Sequence, residues 1–407
     1  MDRRSFLATS ALTASLLGTA TSSACAAPKP GGLRTGADVL AAENWKRITG
    51  RRIGVVTNPT GVLSSLAHVV DAMHASGAVN VVAVFGPEHG FRGTSQAGGS
   101  EGDYADPRTG IPVYDAYGAS TDKIAEMFRK AGVEQVVFDI ADVGVRFYTY
   151  IWTMYQAMEA ASKVGASFLV LDRPNPIGGT QVAGPRLDPR FASGVGLLPI
   201  VQQHGMTVGE LARLFAEEYL AGPLQLDVVK VEGWHARGAD TELPWVPPSP
   251  NMPTPDTAAV YPGTGLFEGT TWSEGRGTTR PFEIIGAPGV DWRWADELNA
   301  AGLAGVRFRE TYFVPTFSKH TGATCGGVQI YRTGEIDSIQ VAVAMLVTAK
   351  RLYPFSWRDD LMIDKLSGSD RLRTMVDSGA DVAAIVGSWQ GELADFRRQR
   401  EPYLLYT

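Results

Sequence analysis

Four short apolar runs rich in β-branched residues, each ending in a turn signal, constrain this chain most. They are RRIGVVTN (51–58), NVVAVF (80–85), QVVFDI (135–140) and SFLVL (167–171). Strands that are apolar almost throughout are covered on both faces, and strands separated by helices lie parallel. Helical patterns fill the gaps at 66–76, 121–131 and 147–163, with Gly132 as the stop of the second. The expected fold is α/β: a Rossmann-like, doubly wound, mainly parallel sheet with strands at about 52–57, 80–85, 135–140 and 167–171. No G-x-G-x-x-G follows the first strand and there is no P-loop, so no dinucleotide or other cofactor is expected.

The texture changes after Gly178. Residues 179–204 are rich in Gly and Pro, and 207–219 (TVGELARLFAEEY) form a helix pattern with a Thr207/Glu210 capping box. Residues 233–290 carry many Pro, Gly and Thr with little periodicity, and regular α/β patterns resume at Asp291. A structureless stretch of that length in a compact domain is usually functional. The expected division is a signal segment at 1–27, a Rossmann-like catalytic domain at 28–205, and a smaller α/β domain at 206–407 whose segment 233–290 lines the cleft.

The run Arg3-Arg4-Ser5-Phe6-Leu7 resembles a twin-arginine export signal, with small residues around Ala26 for cleavage. An exported protein is expected, periplasmic or secreted. A lipid-anchored reading would acylate Cys25, but Ser22 stands where such signals usually carry Leu. Cleavage after Ala26 leaves one cysteine, Cys325, and so no internal disulfide; a chain of this size needs none. Removing Asp2, Arg3 and Arg4 changes the net charge from −6 to −7. No basic run marks a nucleic-acid partner. After residue 27 no segment has the roughly 18 uninterrupted apolar residues of a membrane span.

In an open parallel sheet, ligands bind beyond the carboxyl ends of the strands. Those ends carry Glu88, His89 and Arg92 after the second run, Asp139, Asp142 and Arg146 after the third, and Asp172, Arg173 and Asn175 after the fourth. Several carboxylates on one rim suit glycoside hydrolysis, in which one acid protonates the leaving oxygen and a second group assists at the anomeric carbon. Pro87 and Gly90 hold Glu88 in a stiff loop; its local alternative is a scaffold bridge to Arg92. None of the six histidines has zinc-site spacing, so no catalytic metal is expected.

The segments GPEHGFRG (86–93), FDIADVGVRFYTYIWTM (138–154), DRPNP (172–176), QHGMTVGELA (203–212), PSPNMPT (248–254), YPGTGLFEGTTWSEGRGTTRPFEIIGAP (261–288) and KHTGATCGGVQI (319–330) resemble the exo-β-N-acetylmuramidase family of cell-wall recycling. The resemblance covers nearly all of the chain after residue 27. It implies a glycosidase that releases N-acetylmuramic acid from the non-reducing ends of peptidoglycan fragments, with Glu88 matching the family's catalytic glutamate. Muramyl saccharides are then the partners. Their lactyl carboxylate calls for a guanidinium clamp, for which Arg92, Arg146, Arg173 and Arg276 are candidates. Asn175 and Asn251 suit hydroxyl or acetamido groups. His89, Tyr148, Asp172, His204 and Thr270 join them as substrate-side residues. Asp142 and Glu268 both stand as the second carboxylate. A peptidoglycan amidase and a non-catalytic muropeptide-binding protein are the competing readings; the first lacks a visible zinc set or nucleophile, the second has no use for several pocket carboxylates.

Overall fold

The computed structural model describes residues 32–236 and 243–406. The signal segment and Cys25 lie outside the described residues. The strands are β1 (Arg52–Thr57), β2 (Asn80–Gly86), β3 (Tyr104–Ala105), β4 (Pro112–Asp115), β5 (Gln135–Asp139), β6 (Ser167–Leu171), β7 (Ala183–Arg186), β8 (Val201–Gln203), β9 (Leu226–Val229), β10 (Ile284–Ala287), β11 (Val306–Phe313) and β12 (Cys325–Arg332). The main helices are α1 (Gly36–Ala42), α2 (Val69–Ser76), α3 (Thr121–Ala131), α4 (Tyr150–Val164), α5 (Val208–Glu218), α6 (Pro255–Thr264), α7 (Arg293–Ala300) and α8 (Ser338–Leu352). Further helices follow between Met362 and Arg400.

The large sheet runs β3-β4-β2-β1-β5-β6-β9. All its pairs are parallel except the two-residue edge strand β3. Numbering the parallel strands in chain order gives 3-2-1-4-5-6, the order of dinucleotide-binding sheets. The four expected strands are all present and parallel. Successive side chains point to opposite faces, and both faces are buried. Phe138 and Val136 of β5 join the core under α3, α4 and α5, while Val137 between them joins the core under α1 and α2.

Helix ends follow their local chemistry. Ser120 caps α3 and Gly132, at φ 66°, ends it. Thr207 and Glu210 form the expected capping box on α5. The expected division at 205/206 falls inside the sheet. Parallel β6 and β9 need a crossover, and α5 is that crossover helix. The Gly/Pro-rich stretch before it is a β7–β8 hairpin set into the crossover, not a boundary. The loop-rich segment also holds more structure than its composition suggests. Pro255 opens α6 at its first turn, Pro262 lies inside the same helix, and Ile284–Ala287 pairs antiparallel with β12. Burial against α8 overrides the poor helix propensity of that sequence.

The second part packs α6, α7 and α8 on the three-stranded sheet β10-β12-β11. Its apolar residues, Trp272, Val328 and Met345 among them, belong to the same continuous cluster as Phe85 and Phe138 of the large sheet. The C-terminal tail returns to the large sheet as a clasp. The Tyr406 hydroxyl donates to Asp172 Oδ2 (2.6 Å) and accepts from the Val231 N–H (2.9 Å). Asp172 is fully buried and also accepts from Thr207 Oγ1 and the Gly209 N–H. Tyr406→Phe leaves that carboxyl short of one donor. Its unfolding free energy in guanidinium should fall by about 1.5–3 kcal/mol; an unchanged midpoint would mean that the clasp contributes nothing.

Candidate active site

Beyond the ends of β2 and β5, the two parts of the chain enclose a cleft of about 640 Å³. One wall is Glu88, His89 and the entry to α4 (residues 147–153). The other is Ser249, Asn251, Tyr261, Glu268, Arg276 and Phe282, with Gly194, Val195 and Leu197 closing a side. At the β1–β5 junction, where a sheet of this order holds a dinucleotide, the space is only about 90 Å³, bounded by Pro244, Trp245 and Pro248.

The loop after β2 fixes Glu88. His89 takes a left-handed backbone (φ 71°) and its Nδ1 meets the Ser95 carbonyl at 3.0 Å. Gly90, at φ 86°, sits where a Cβ would meet the Glu101 side chain at 2.2 Å, so only glycine fits. Glu101 in turn accepts from the Arg92 and Thr94 N–H groups and from the Tyr104 hydroxyl. Within this knit loop, Glu88 Oε1 accepts from the Gly98 N–H (2.8 Å). Its Oε2 meets Thr149 Oγ1 at 3.2 Å. Thr149 precedes the first turn of α4 but makes no capping bond there, which leaves its hydroxyl for Glu88.

Tyrosines surround this carboxylate. Burial first, then neighbouring phenols and the charges of Asp142 and Glu88, push Tyr148 well above its ordinary pKa. Burial first, then Glu268 and Glu88 against Arg276, do the same for Tyr261. Both phenols therefore remain protonated donors. Three buried polar atoms on the cleft residues have no partner among the described residues: Tyr148 Oη, Asn251 Nδ2 and Arg276 Nη1. Buried polar atoms are nearly always paired, so three orphans on residues that line one cavity point to that cavity as the place where a polar ligand binds.

Residues 53–256 match the N-terminal model, and residues 259–406 the C-terminal model, of exo-β-N-acetylmuramidase NamZ. The chain belongs to the exo-β-N-acetylmuramidase family. It is 47% identical over 381 residues to the peptidoglycan β-N-acetylmuramidase NamZ of Bacillus subtilis (strain 168), covering 92% of this chain and 91% of that protein. Two crystal structures of DUF1343-family proteins from Bacteroides fragilis NCTC 9343 share the fold. One has TM-score 0.85 at 34% identity, covering 93% of this chain and all of that one. The other has TM-score 0.72 at 31% identity, covering 92% and 99%.

The structure of this family member sorts the residues singled out from sequence. Glu88, His89, Tyr148, Asn251, Glu268 and Arg276 meet on the cleft. Arg276 bonds Glu268 Oε1 through Nε (2.9 Å) and Nη2 (2.5 Å) and lies over the Phe282 ring. Burial raises the Glu268 carboxyl even against Arg276.

The other three arginines are engaged elsewhere. Arg92 is forked between Asp71 (2.9 Å) and Asp106 (2.8 Å), so it does not pair with Glu88. Arg146 is fully buried, donates to the carbonyls of Pro185, Ile200 and Leu366, and is lowered by burial to about 9. Arg173 grips Asp139 through two bonds of 2.6 and 2.9 Å.

The remaining candidates are also internal. Asn175 bonds the Met206 carbonyl and the Ile177 N–H. Thr270 Oγ1 serves its own turn, donating to the Phe267 carbonyl and accepting from the Trp272 N–H. Asp142 accepts from the Gly144 N–H, faces His204 Nε2 at 3.2 Å, and borders the small junction pocket instead of the cleft. Asp172 belongs to the tail clasp. Thr149, Tyr150, Tyr261 and Phe282 line the cleft without having been singled out. Starting the helix at 147 made Thr149 look like an interior helical residue; it is the residue before the first turn.

The Arg92 fork holds the Glu88 loop to α2. Burial alone would raise Asp106, but bonds from Arg92 and Thr109 outweigh it and hold the carboxyl below its usual range. That stabilisation is present above the ordinary carboxylate pKa and is lost as pH falls through the lowered value. Breaking a buried pair costs about 3–5 kcal/mol, and Arg92 keeps 26% of its side chain in water. Arg92→Met should therefore lower unfolding free energy at pH 7 by about 3 kcal/mol, with a smaller difference from wild type near pH 3. A urea titration showing the same difference at both pH values would remove the ion pair as its cause.

Proposed function

We propose that this chain releases N-acetylmuramic acid from the non-reducing end of peptidoglycan fragments, with Glu88 as general acid and Arg276 as the lactyl-carboxylate contact. It is a glycosidase, and its exo action follows from its family. The observation that carries the residue assignment is the meeting, in one cleft, of a loop-fixed carboxyl group with a guanidinium that keeps one nitrogen unpaired.

The hydrogen bonds of Glu88 determine where its proton sits. An N–H can only donate, so Oε1, facing Gly98, is an acceptor in either protonation state. A hydroxyl can donate or accept, so Thr149 can receive a bond from a protonated Oε2. In the acid form this role requires, the proton would sit on Oε2. At 3.2 Å that bond is long and gives way when a glycosidic oxygen arrives. Proton transfer from Glu88 to the glycosidic oxygen then accompanies cleavage of its bond to the anomeric carbon; water bonds that carbon, and the proton it loses returns to the cleft carboxylates and restores the acid. Glu268 is the acid we assign to the anomeric side. It shares the cleft, and both Arg276 bonds fall on its Oε1, leaving Oε2 for a water or the developing positive centre.

Among the described residues no helix is long and apolar enough to cross a membrane. We place the enzyme outside the cytoplasm, where the wall polymer lies, on the basis of the twin-arginine-like run at Arg3 and Arg4.

Glu88→Gln keeps shape and hydrogen bonding but carries no acid proton. Turnover of a natural muramyl disaccharide, followed as free N-acetylmuramic acid, should fall by roughly 10²-fold or more, with folding and ligand binding retained. Near-normal turnover by the Gln variant would remove Glu88 from the mechanism and move Glu268 into its place.

A further inference from the structure

Arg276 does not stand alone. It belongs to a cluster of two acids and two bases, of which Arg276 and Glu268 line the cleft while Glu274 and Lys319 pack next to them outside its lining. Glu268 takes its Nε and Nη2, and Glu274 Oε1 lies 3.3 Å from Nε. Lys319 approaches Glu274 from its other oxygen, Nζ to Oε2 at 2.8 Å. Glu274 is 2% exposed, so its charge is compensated inside the protein or not at all. The Lys319 ammonium also donates to the carbonyls of Phe267 (2.9 Å) and Trp272 (3.0 Å), which fixes its position. Its neighbours Ser318 and His320 take left-handed backbones, at φ 71° and 57°. Two such non-glycine residues flanking one half-buried lysine show a loop shaped to deliver that side chain.

The charges of the four groups cancel. Without Lys319, the wall would carry a net negative charge, and Glu274 would draw on the donors that Arg276 keeps for the ligand. An anionic sugar entering the cleft would then meet repulsion and a competing carboxylate. With Lys319 in place, Glu274 is neutralised and Arg276 Nη1 stays unpaired. We propose that Lys319 is a positioning residue that sets the preference for sugars bearing a carboxylate, by claiming Glu274 and so leaving Arg276 open. Lys319 acts through Glu274 and Arg276 and does not itself touch the sugar. This rests on the reading of Arg276 as the carboxylate contact.

The test uses the full-length enzyme with two chromogenic substrates, the 4-nitrophenyl N-acetyl-β-muramide and its lactyl methyl ester. The readout is the ratio of kcat/KM for acid over ester. Lys319→Met should reduce that ratio by about tenfold or more, mainly through KM of the acid, the scale of a lost hydrogen bond to a charged group. The double variant Glu274→Gln/Lys319→Met leaves Glu268 and Arg276 as a neutral pair. Its ratio should recover to within about threefold of wild type. A purely structural role gives the reverse, because two lesions damage packing more than one; a double variant no better than Lys319→Met overturns the proposal, as does a Lys319→Met ratio equal to wild type. Arg276→Met separates this from the underlying reading. If it leaves the acid-over-ester ratio unchanged, Arg276 is not the carboxylate contact. If it lowers the ratio while Lys319→Met does not, the contact stands and the positioning role falls.

Discussion

Parallel strands leave their sheet along one edge, and everything in the cleft depends on that constraint. β2 and β5 both flank β1, so the chain after Gly86 and the chain after Asp139 emerge side by side. The first exit carries Glu88, the second leads into α4 with Thr149 at its entry. A 61-residue separation becomes a 3.2 Å contact because the sheet aligns the two exits. An antiparallel pairing would send one of them to the opposite end. The second part of the chain then supplies the facing wall, and the shared apolar cluster keeps the two walls in register.

Charge is distributed within this frame by pairing most ions away from the cavity. Arg92 and Arg173 are held by scaffold carboxylates, and Arg146 by scaffold carbonyls through Nη1 and Nη2. Asp139 and Asp172 are buried at strand ends and saturated by their neighbours, even though burial raises both carboxyls. These interactions stabilise loops and crossovers. What remains unpaired on the cleft is a small set of donors beside one loop-fixed carboxyl group. Arg146 also keeps one nitrogen, Nε, without a partner among the described residues, but it lies off the cleft; of the four arginines, Arg276 is the one that combines an unpaired nitrogen with a place on the cleft.

The sheet was legible because its physics is local. Continuous apolar runs such as Val136–Phe138 have few alternatives to a doubly covered strand, and Gly132 and Thr207 mark helix ends by their own backbone chemistry. The place of Glu88 on the cleft was legible because strand-end placement and the family motif point to the same residue. The arginines could not be separated by sequence, since each sits in a motif at a strand end or a loop. Their roles depend on partners such as Asp71 and Glu268, chosen by the tertiary fold. The same holds for the second carboxylate: Asp142 lies near the sheet edge in sequence, yet its side chain turns to His204 and the junction pocket. Segment 233–290 does line the cleft, but the helix inside it and the continuation of the sheet past 205/206 were missed for a common reason. Glycine and proline mark turns within elements as well as borders between them, and α6 contains both.

The central claim is that Glu88 and Arg276 address the two ends of one bound sugar, its glycosidic oxygen and its lactyl carboxylate. A crystal structure of the Glu88→Gln variant soaked with a muramyl disaccharide tests it directly. The account places the carboxylate about 2.7–2.9 Å from Arg276 Nη1, with the glycosidic oxygen in hydrogen-bond reach of the residue 88 amide. A carboxylate bound instead by Arg92, Arg146 or Arg173, or a scissile bond far from residue 88, would contradict it.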